Sequence, residues 1–275
     1  MPVFETPGSV TLQIKIPAGH VVLTTSDEPK TEVELVSHGR RGSEALEQIV
    51  VTAHERPGGH VISIEQQDRL RWGPISINWG GDVEVRVICP AGADLEFSGA
   101  SADLSASGRF GKVSAKTASG DLALGSVADK LHVKTASGDV AIQRIESEGS
   151  VQTVSGDVEI ECVEATLTMR TVSGDVEVGR VRAPLTVTTT SGDVAIKTVE
   201  RGEVRVQSVS GDSRIGVAQG TGVWMDATSL SGDLKSELGV ADDAPAETSG
   251  EIVPLQVKSV SGDVRFVRAA APSAD

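Results

Sequence analysis

Short segments of alternating apolar and polar residues recur at a fixed distance from about residue 97 onward. In one copy Val158 and Ile160 follow the tripeptide at 155–157, and eighteen residues later Val176 and Val178 hold the same places. A period of two is typical of β-strands, because successive side chains point to opposite faces. Each copy is therefore predicted to contain a strand, a tight corner, a second strand and a looser return.

A Ser-Gly-Asp tripeptide marks each corner and occurs eight times, at intervals of 18, 18, 18, 18, 19, 21 and 30 residues. Glycine allows backbone angles closed to other residues, and aspartate accepts hydrogen bonds from nearby backbone N–H groups. We therefore predict a structural turn ladder with no catalytic, cofactor-binding or metal-binding role. The ladder consists of Ser119, Gly120, Asp121, Ser137, Gly138, Asp139, Ser155, Gly156, Asp157, Ser173, Gly174, Asp175, Ser191, Gly192, Asp193, Ser210, Gly211, Asp212, Ser231, Gly232, Asp233, Ser261, Gly262 and Asp263.

The length of the repeat decides the fold class. Eighteen residues are too few for a βαβ unit, which needs roughly 30, and the chain shows no helical periodicity. We predict an all-β protein, a right-handed parallel β-solenoid (β-helix) of ~18-residue coils, in which each strand pairs with its equivalent about 4.8 Å away in the next coil. The alternative is a β-sandwich of antiparallel hairpins, in which nothing would maintain a constant register between copies.

The two ends of the chain differ from the repeats. Residues 1–95 contain alternating runs such as Val10–Ile16 but no Ser-Gly-Asp, and we expect an N-terminal β cap region that blocks open strand edges, or irregular coils continuous with the repeats. The solenoid repeat domain is predicted over 96–268, and Phe266 in its final copy could close the core. Residues 269–275 are predicted to be a disordered tail.

When the copies are aligned on their corner serines, equivalent residues form columns. The two columns just before the serine differ in how clearly they predict burial. Two positions before each serine lies a hydroxyl residue, such as Thr153 or Thr171, whose parity with the apolar columns predicts an inward position. The residue directly before each serine, such as Val154 or Val172, is mostly apolar although its parity is outward. We expect the corner to turn these residues into the core; the alternative is an exposed apolar stripe for a partner.

Composition and charge restrict the possible functions. The chain has 25 Lys and Arg against 39 Asp and Glu, and a net charge of −14 opposes binding of nucleic acid. No apolar stretch reaches the roughly 18 residues of a membrane span, and the first residues lack the basic and apolar regions of a signal peptide, so we expect a cytoplasmic location. The two cysteines, Cys89 and Cys162, are predicted to be isolated thiols.

Candidate chemistry is sparse. A row of Ca²⁺ ions along the aspartates is an alternative, although Ca²⁺ needs six to eight oxygens and only one acidic position recurs in each repeat. The five histidines fit no catalytic motif, so we predict no enzyme and no cofactor, with a glycan-active β-helix enzyme as the alternative. Arg71, Trp72 and Trp79 lie in a Gly/Pro-rich stretch that suits contact with a protein or glycan partner, or a plug over the first coil.

The recurrent sequence Thr-Val-Ser-Gly-Asp-Val, at 153–158 and 171–176, resembles a bacterial family of uncharacterised β-strand-repeat proteins labelled "putative adhesin". The opening strands, the segment Cys89–Leu95 and the lengthened last two coils are similar too. The resemblance implies a β-solenoid without established enzymatic activity. We therefore expect a non-enzymatic binding or scaffold module that presents rigid faces to a protein or glycan.

Overall fold

The computed structural model describes residues 2–38, 46, 48–67, 82–238 and 252–269. Within these residues the regular secondary structure consists of 25 β-strands, which confirms the predicted all-β class. The chain divides into two compact units, residues 1–140 and 141–275. The possible partner contacts Arg71, Trp72 and Trp79, and the predicted tail beyond residue 269, lie outside the described residues.

Twelve strands belong to the first unit and thirteen begin at or after its end. The first set is β1 (Val3–Glu5), β2 (Ser9–Lys15), β3 (Ala18–Ser26), β4 (Lys30–His38), β5 (Ile49–Arg56), β6 (Gly59–Gln66), β7 (Asp82–Pro90), β8 (Asp94–Ser98), β9 (Ser101–Phe110), β10 (Val113–Lys116), β11 (Leu122–Val127) and β12 (Leu131–Lys134). The second set is β13 (Val140–Ile145), β14 (Gly149–Gln152), β15 (Val158–Val163), β16 (Leu167–Arg170), β17 (Val176–Val181), β18 (Leu185–Ser191), β19 (Val194–Val199), β20 (Val204–Ser210), β21 (Ser213–Val217), β22 (Val223–Ser231), β23 (Leu234–Ser236), β24 (Val253–Ser261) and β25 (Val264–Arg268).

In the first unit one run of hydrogen-bonded strands is β1-β4-β7-β3-β9-β11 and the other is β5-β6-β2-β8-β10-β12. The strands of the first repeats pair in parallel, and Leu95, Val113 and Leu131 are aligned at eighteen-residue steps on β8, β10 and β12. At the outer edges β1 pairs with β4, β4 with β7 and β5 with β6 in antiparallel fashion. The opening strands β2 and β3 pair in parallel with β8 and β9.

The second unit also has two runs of hydrogen-bonded strands, in the orders β13-β15-β17-β19-β21-β25-β23 and β14-β16-β18-β20-β24-β22. From β14 onward the neighbouring strands in these orders pair in parallel. Val158, Val176 and Val194 are direct partners on three successive strands. The predicted parallel pairing is confirmed here, and the antiparallel sandwich is wrong for this unit.

Buried and exposed residues alternate along each strand, as period two requires. On β15, for example, Val158 and Ile160 are buried while Glu159 is exposed. The core is aliphatic, and each coil contributes only a few Val, Leu or Ile side chains to it. This explains how a chain with four Phe, three Trp and no Tyr can fold.

At the C-terminal end the stacking order departs from the chain order. The last segment, β24 and β25, lies between β20/β21 on one side and β22/β23 on the other, so Val264 is aligned with both Ser213 and Leu234. Phe266 is therefore an interior residue with 3% exposure, and the expectation that it closes the end of the core is wrong. The more apolar coil takes the position with partners on both sides, because there it removes more apolar surface from water.

Candidate binding surfaces at the repeat corners

The aspartates of the turn ladder connect successive coils. In the second unit, the backbone N–H groups of Asp175, Asp193 and Asp212 each donate to Oδ1 of the preceding aspartate at 2.8 Å. The series continues in stacking order, with Asp263 N–H donating to Asp212 Oδ1 at 2.8 Å and Asp233 N–H to Asp263 Oδ1 at 3.0 Å. We call this series the aspartate ladder.

The first unit contains the same contact. Asp121 N–H donates to Asp103 Oδ1, and Asp139 N–H donates to Asp121 Oδ1, both at 3.0 Å. A hydrogen bond to a charged acceptor contributes about 1.5–3 kcal/mol, whereas two unit charges 4.8 Å apart in water repel by about 0.9 kcal/mol. The hydrogen bonds therefore outweigh the repulsion along an exposed row of carboxylates.

Calcium is not needed to explain the aspartate ladder. Across the residues that the structure describes, no three His, Cys, Asp or Glu side chains are grouped so that they could hold a metal ion. Each ladder contact uses one carboxylate oxygen for a backbone N–H group, which leaves too few oxygens at any one corner for the six to eight that Ca²⁺ prefers.

We expect removal of divalent ions to leave stability unchanged. Differential scanning calorimetry of the purified protein with excess EDTA and with added CaCl₂ should give the same melting midpoint. A midpoint that rises with calcium and falls with EDTA would show that the carboxylates bind the ion. MgCl₂ at equal ionic strength serves as the control for charge screening.

Close contact with the neighbouring coil excludes a Cβ at corner glycines of both units, and at some of these glycines the backbone dihedral excludes it as well. Gly192, Gly211, Gly232 and Gly262 have φ between 120° and 156°, a region that favours glycine. Gly138 has no positive φ, but a Cβ there would overlap the carbonyl oxygen of Gly120 in the preceding coil. The predicted dihedral explanation is therefore wrong for the corners at Gly120, Gly138, Gly156 and Gly174, none of which has a positive φ.

The hydroxyl residues two positions before each corner serine lie inside, as predicted, and their hydrogen bonding differs from coil to coil. Gly156 N–H donates to Thr153 Oγ1 at 3.0 Å, whereas Gly174 N–H donates to the carbonyl oxygen of Ser191 at 3.2 Å. Thr171 Oγ1 consequently has no hydrogen-bond partner, although Thr171 is only 6% exposed. Two equivalent, equally buried threonines thus differ in whether their hydroxyl is used.

This difference predicts opposite outcomes for one substitution. We expect Thr153→Val to lower the free energy of unfolding by about 1–2 kcal/mol, because it removes the acceptor of a buried N–H group. We expect Thr171→Val to be neutral or stabilising by up to about 1 kcal/mol, because it replaces an unpaired hydroxyl by a methyl group of similar size. Urea unfolding of both variants measures the difference, and equal destabilisation would contradict the assigned bonds.

The residue before each corner serine is exposed, so the expected turn into the core is wrong. Val154, Val172, Val209 and Val260 are 47–49% exposed and Leu230 is 83% exposed. The alternation of side chains along the strand, and not their apolar character, decides that these residues are exposed. In stacking order the column of the second unit, which we call the corner stripe, reads Val154, Val172, Thr190, Val209, Val260 and Leu230.

A row of alternating charges, which was not anticipated from the sequence, lies on the return side of the second unit. Arg182 donates from Nε to Glu200 Oε2 at 2.7 Å and from Nη1 to Glu164 Oε1 at 3.1 Å, and Arg144 reaches the same Glu164 oxygen at 3.1 Å. Burial alone would raise the pKa of Glu164, but hydrogen bonds and the charges of both arginines lower it overall. The spacing Glu164, Arg182, Glu200, with opposite charges eighteen residues apart, was the available signal.

Both cysteines are free and buried, as isolated thiols should be. Burial raises the pKa of Cys89 to about 12, and burial with the neighbouring Glu164 carboxylate raises that of Cys162. Raised thiol pKa values disfavour the reactive thiolate. In the part of the chain that the structure describes, no helix has the length and apolar character required to cross a bilayer.

These features define a class of protein: parallel β repeats stacked in register, with glycine and aspartate corners that hold each coil to the next. The chain belongs to the Toastrack DUF4097 family, whose model matches residues 11–267. This membership agrees, at the level of the family, with the resemblance seen in the repeats. No curated protein matches the chain.

Solved structures of low sequence identity are also similar to the chain. A "putative adhesin" from Bacteroides fragilis NCTC 9343 is 15% identical, with 96% of this chain and 95% of that chain covered and a TM-score of 0.48. A "putative adhesin" from Parabacteroides distasonis ATCC 8503 is 12% identical, with 96% and 95% covered and a TM-score of 0.45. A "putative cell adhesion protein" from Clostridium sporogenes ATCC 15579 is 10% identical, with 95% and 93% covered and a TM-score of 0.24.

Proposed function

We propose that this chain is a non-enzymatic binding module whose corner stripe docks a partner polypeptide with apolar side chains flanked by lysine or arginine. The observation that carries the proposal is the exposure of Val154, Val172, Val209, Val260 and Leu230, by 47–83%, in a single column. A column of six positions extends over about 24 Å at the spacing of neighbouring strands. An exposed row in which five of six side chains are apolar is typical of interaction sites in soluble proteins.

The aspartate ladder supplies the second element of recognition. Each aspartate follows the stripe residue of its coil by three positions, as Asp175 follows Val172, and the side chains are largely exposed. The carboxylates accept backbone hydrogen bonds but keep their negative charge, so a row of charge runs beside the apolar row. A basic partner with apolar groups is complementary to both rows, and the charge row would increase its rate of encounter.

The proposal includes the architecture that carries the corner stripe. We infer a right-handed solenoid with coils of about 18 residues and residues 1–95 as its N-terminal cap. The alignment of Val158 with Val176 supports the coil length, and the general preference of parallel crossovers supports the handedness. A rigid frame limits the entropy lost on binding, because the stripe residues already occupy fixed positions.

Defined peptides test the proposal. We expect a fluorescent peptide of alternating Val and Lys to bind, and peptides of alternating Ser and Lys or Val and Glu to bind at least about tenfold more weakly. Fluorescence anisotropy measures the dissociation constants. The corner-stripe double variant Val172→Ser/Val209→Ser should lose the same factor. The matched control is Ala118→Ser/Ala136→Ser, which alters exposed residues of the same column in the first unit.

Two outcomes would contradict the proposal. If the Ser–Lys and Val–Lys peptides bind equally, charge alone accounts for the contact and the stripe has no role. If the folded protein binds none of the peptides, the exposed valines do not form a polypeptide site of this chemistry. Circular dichroism of each variant verifies that the β structure is retained.

A further inference from the structure

Two neighbouring strands of the first unit present a cluster of positive charge. Val113 and Ala115 of β10, and Leu131 and Val133 of β12, are buried, so the residues between and beside them point outward. The two strands pair in parallel, which aligns Ser114 with His132 and Lys116 with Lys134. The outward residues form what we call the lysine patch: Lys112, Ser114, Lys116, Lys130, His132 and Lys134.

The charges of the lysine patch are not neutralised by ion pairs. All four lysines are exposed, and within the described residues none lies in an ion pair. The adjacent strand β8 carries Asp94 and Glu96, whose carboxylates border the patch without an ion pair to it; Asp94 Oδ1 accepts the Lys112 backbone N–H at 2.8 Å and Glu96 Oε2 accepts from Gln13 at 2.9 Å. Burial and then the charges of Lys134, Lys116 and Lys130 lower the pKa of His132, which is consistent with a positive local potential.

This arrangement does not serve stability. Like charges on neighbouring strands repel, and directly opposed like charges destabilise a sheet. Lys116 beside Lys134 is such a pair, in a chain whose net charge is −14 and which has many carboxylates that could have neutralised it. A cluster of four exposed lysines outside any ion pair, on an acidic protein, indicates a surface for a negatively charged ligand.

We propose that the lysine patch binds an acidic glycan, a single polysaccharide chain that carries carboxylate or sulfate groups. The lysines lie about 13 Å apart along each strand and about 4.8 Å apart between strands, so the patch is one polymer chain wide. Ser114 and His132, between the lysines, can exchange hydrogen bonds with sugar hydroxyl groups.

Other polyanions fit the patch less well. Single-stranded nucleic acid is held by aromatic side chains on which bases stack, and the patch contains no Phe, Tyr or Trp. A bilayer or a duplex presents a broad anionic surface, which would also meet Asp94 and Glu96 at the border of the patch. The patch differs in residues and in sign of charge from the corner stripe, so the inference is independent of the function proposed above.

The test uses the full-length protein and defined oligosaccharides. Isothermal titration at low salt should detect binding of a heparin hexasaccharide or an oligogalacturonate hexamer, no binding of neutral maltohexaose, and weaker binding at higher salt. We expect Lys116→Gln/Lys134→Gln to raise the dissociation constant by about tenfold. The matched control Arg214→Gln/Lys258→Gln removes the same net charge from exposed positions in the second unit and should change it less than about twofold.

The remaining outcomes overturn the inference. If the folded protein binds neither acidic hexasaccharide at low salt, the lysine patch is not a glycan site. If both double variants weaken glycan binding equally, the overall charge of the protein and not the lysine patch accounts for binding. Binding of single-stranded oligothymidylate as tightly as the acidic oligosaccharides would indicate nucleic acid as the ligand class instead.

Discussion

Replacing Gly138 by alanine is expected to lower the free energy of unfolding by about 3 kcal/mol or more, a large effect for one methyl group. Its backbone is not in the left-handed region, so the new side chain carries no dihedral penalty. The Cβ would instead overlap the carbonyl oxygen of Gly120. Hydrogen bonds hold the two coils at a fixed spacing, for example from Ser137 N–H to the carbonyl oxygen of Ala118 at 2.8 Å, so the overlap cannot be relieved cheaply.

Gly92→Ala is the matched control for this prediction. Gly92 has φ of 81°, and no other atom lies within 4 Å of the place that its new methyl group would take, so only the dihedral penalty of about 1–2 kcal/mol applies. Both variants lie in the first unit and can be compared by urea denaturation followed by circular dichroism. If Gly92→Ala proves the more damaging, close approach between coils is not what requires glycine at position 138.

The sequence predicted that glycine is needed at the corners, but it did not show why a side chain is excluded there. A tight turn and a close contact between coils both exclude a side chain, so the recurrence of glycine is compatible with either. At Gly138 only the close contact applies, whereas at Gly192, with φ of 138°, the close contact and the dihedral both exclude a side chain.

Strand pairing was predictable because the period itself carries the information. Parallel strands align equivalent residues, so a constant eighteen-residue interval leads directly to the pairing of Val158 with Val176. The order of the last two coils was not predictable in this way. Their intervals of 21 and 30 residues break the period, and both coils carry the same Ser-Gly-Asp corner.

The surfaces were harder to predict than the core. For Val154, apolar character favoured burial and strand parity favoured exposure, and parity prevailed because the neighbouring Thr153 occupies the inward position. The period of two predicts only that the side chains of Lys116 and Lys134 point outward. Which charged residues lie side by side depends on the register between strands. The cytoplasmic location stays a prediction, since no structural feature of the described residues bears on it.

The interior place of the last coil leads to the second large effect. We expect Phe266→Ala to destabilise the C-terminal coils by about 3–5 kcal/mol, because it leaves a cavity where a 3% exposed phenylalanine packs between two neighbouring coils. Leu234→Ala should cost less than about 1 kcal/mol, because Leu234 is 49% exposed in the outermost coil. If the coils were stacked in chain order, Phe266 would lie at the end and Leu234 inside, and the two effects would be reversed.

Hydrogen exchange with mass spectrometry resolves where each substitution acts. In a repeat protein each coil depends on its neighbours, so a cavity in an interior coil loosens the coils on both sides. Phe266→Ala should therefore speed exchange in peptides that cover β21, β23 and β25, whereas Leu234→Ala should affect β23 with little change in β21. The observed order would be contradicted if Leu234→Ala sped exchange in β21 while Phe266→Ala left β21 unaffected. Only a strand that pairs directly with β21 can transmit a loss of stability to it.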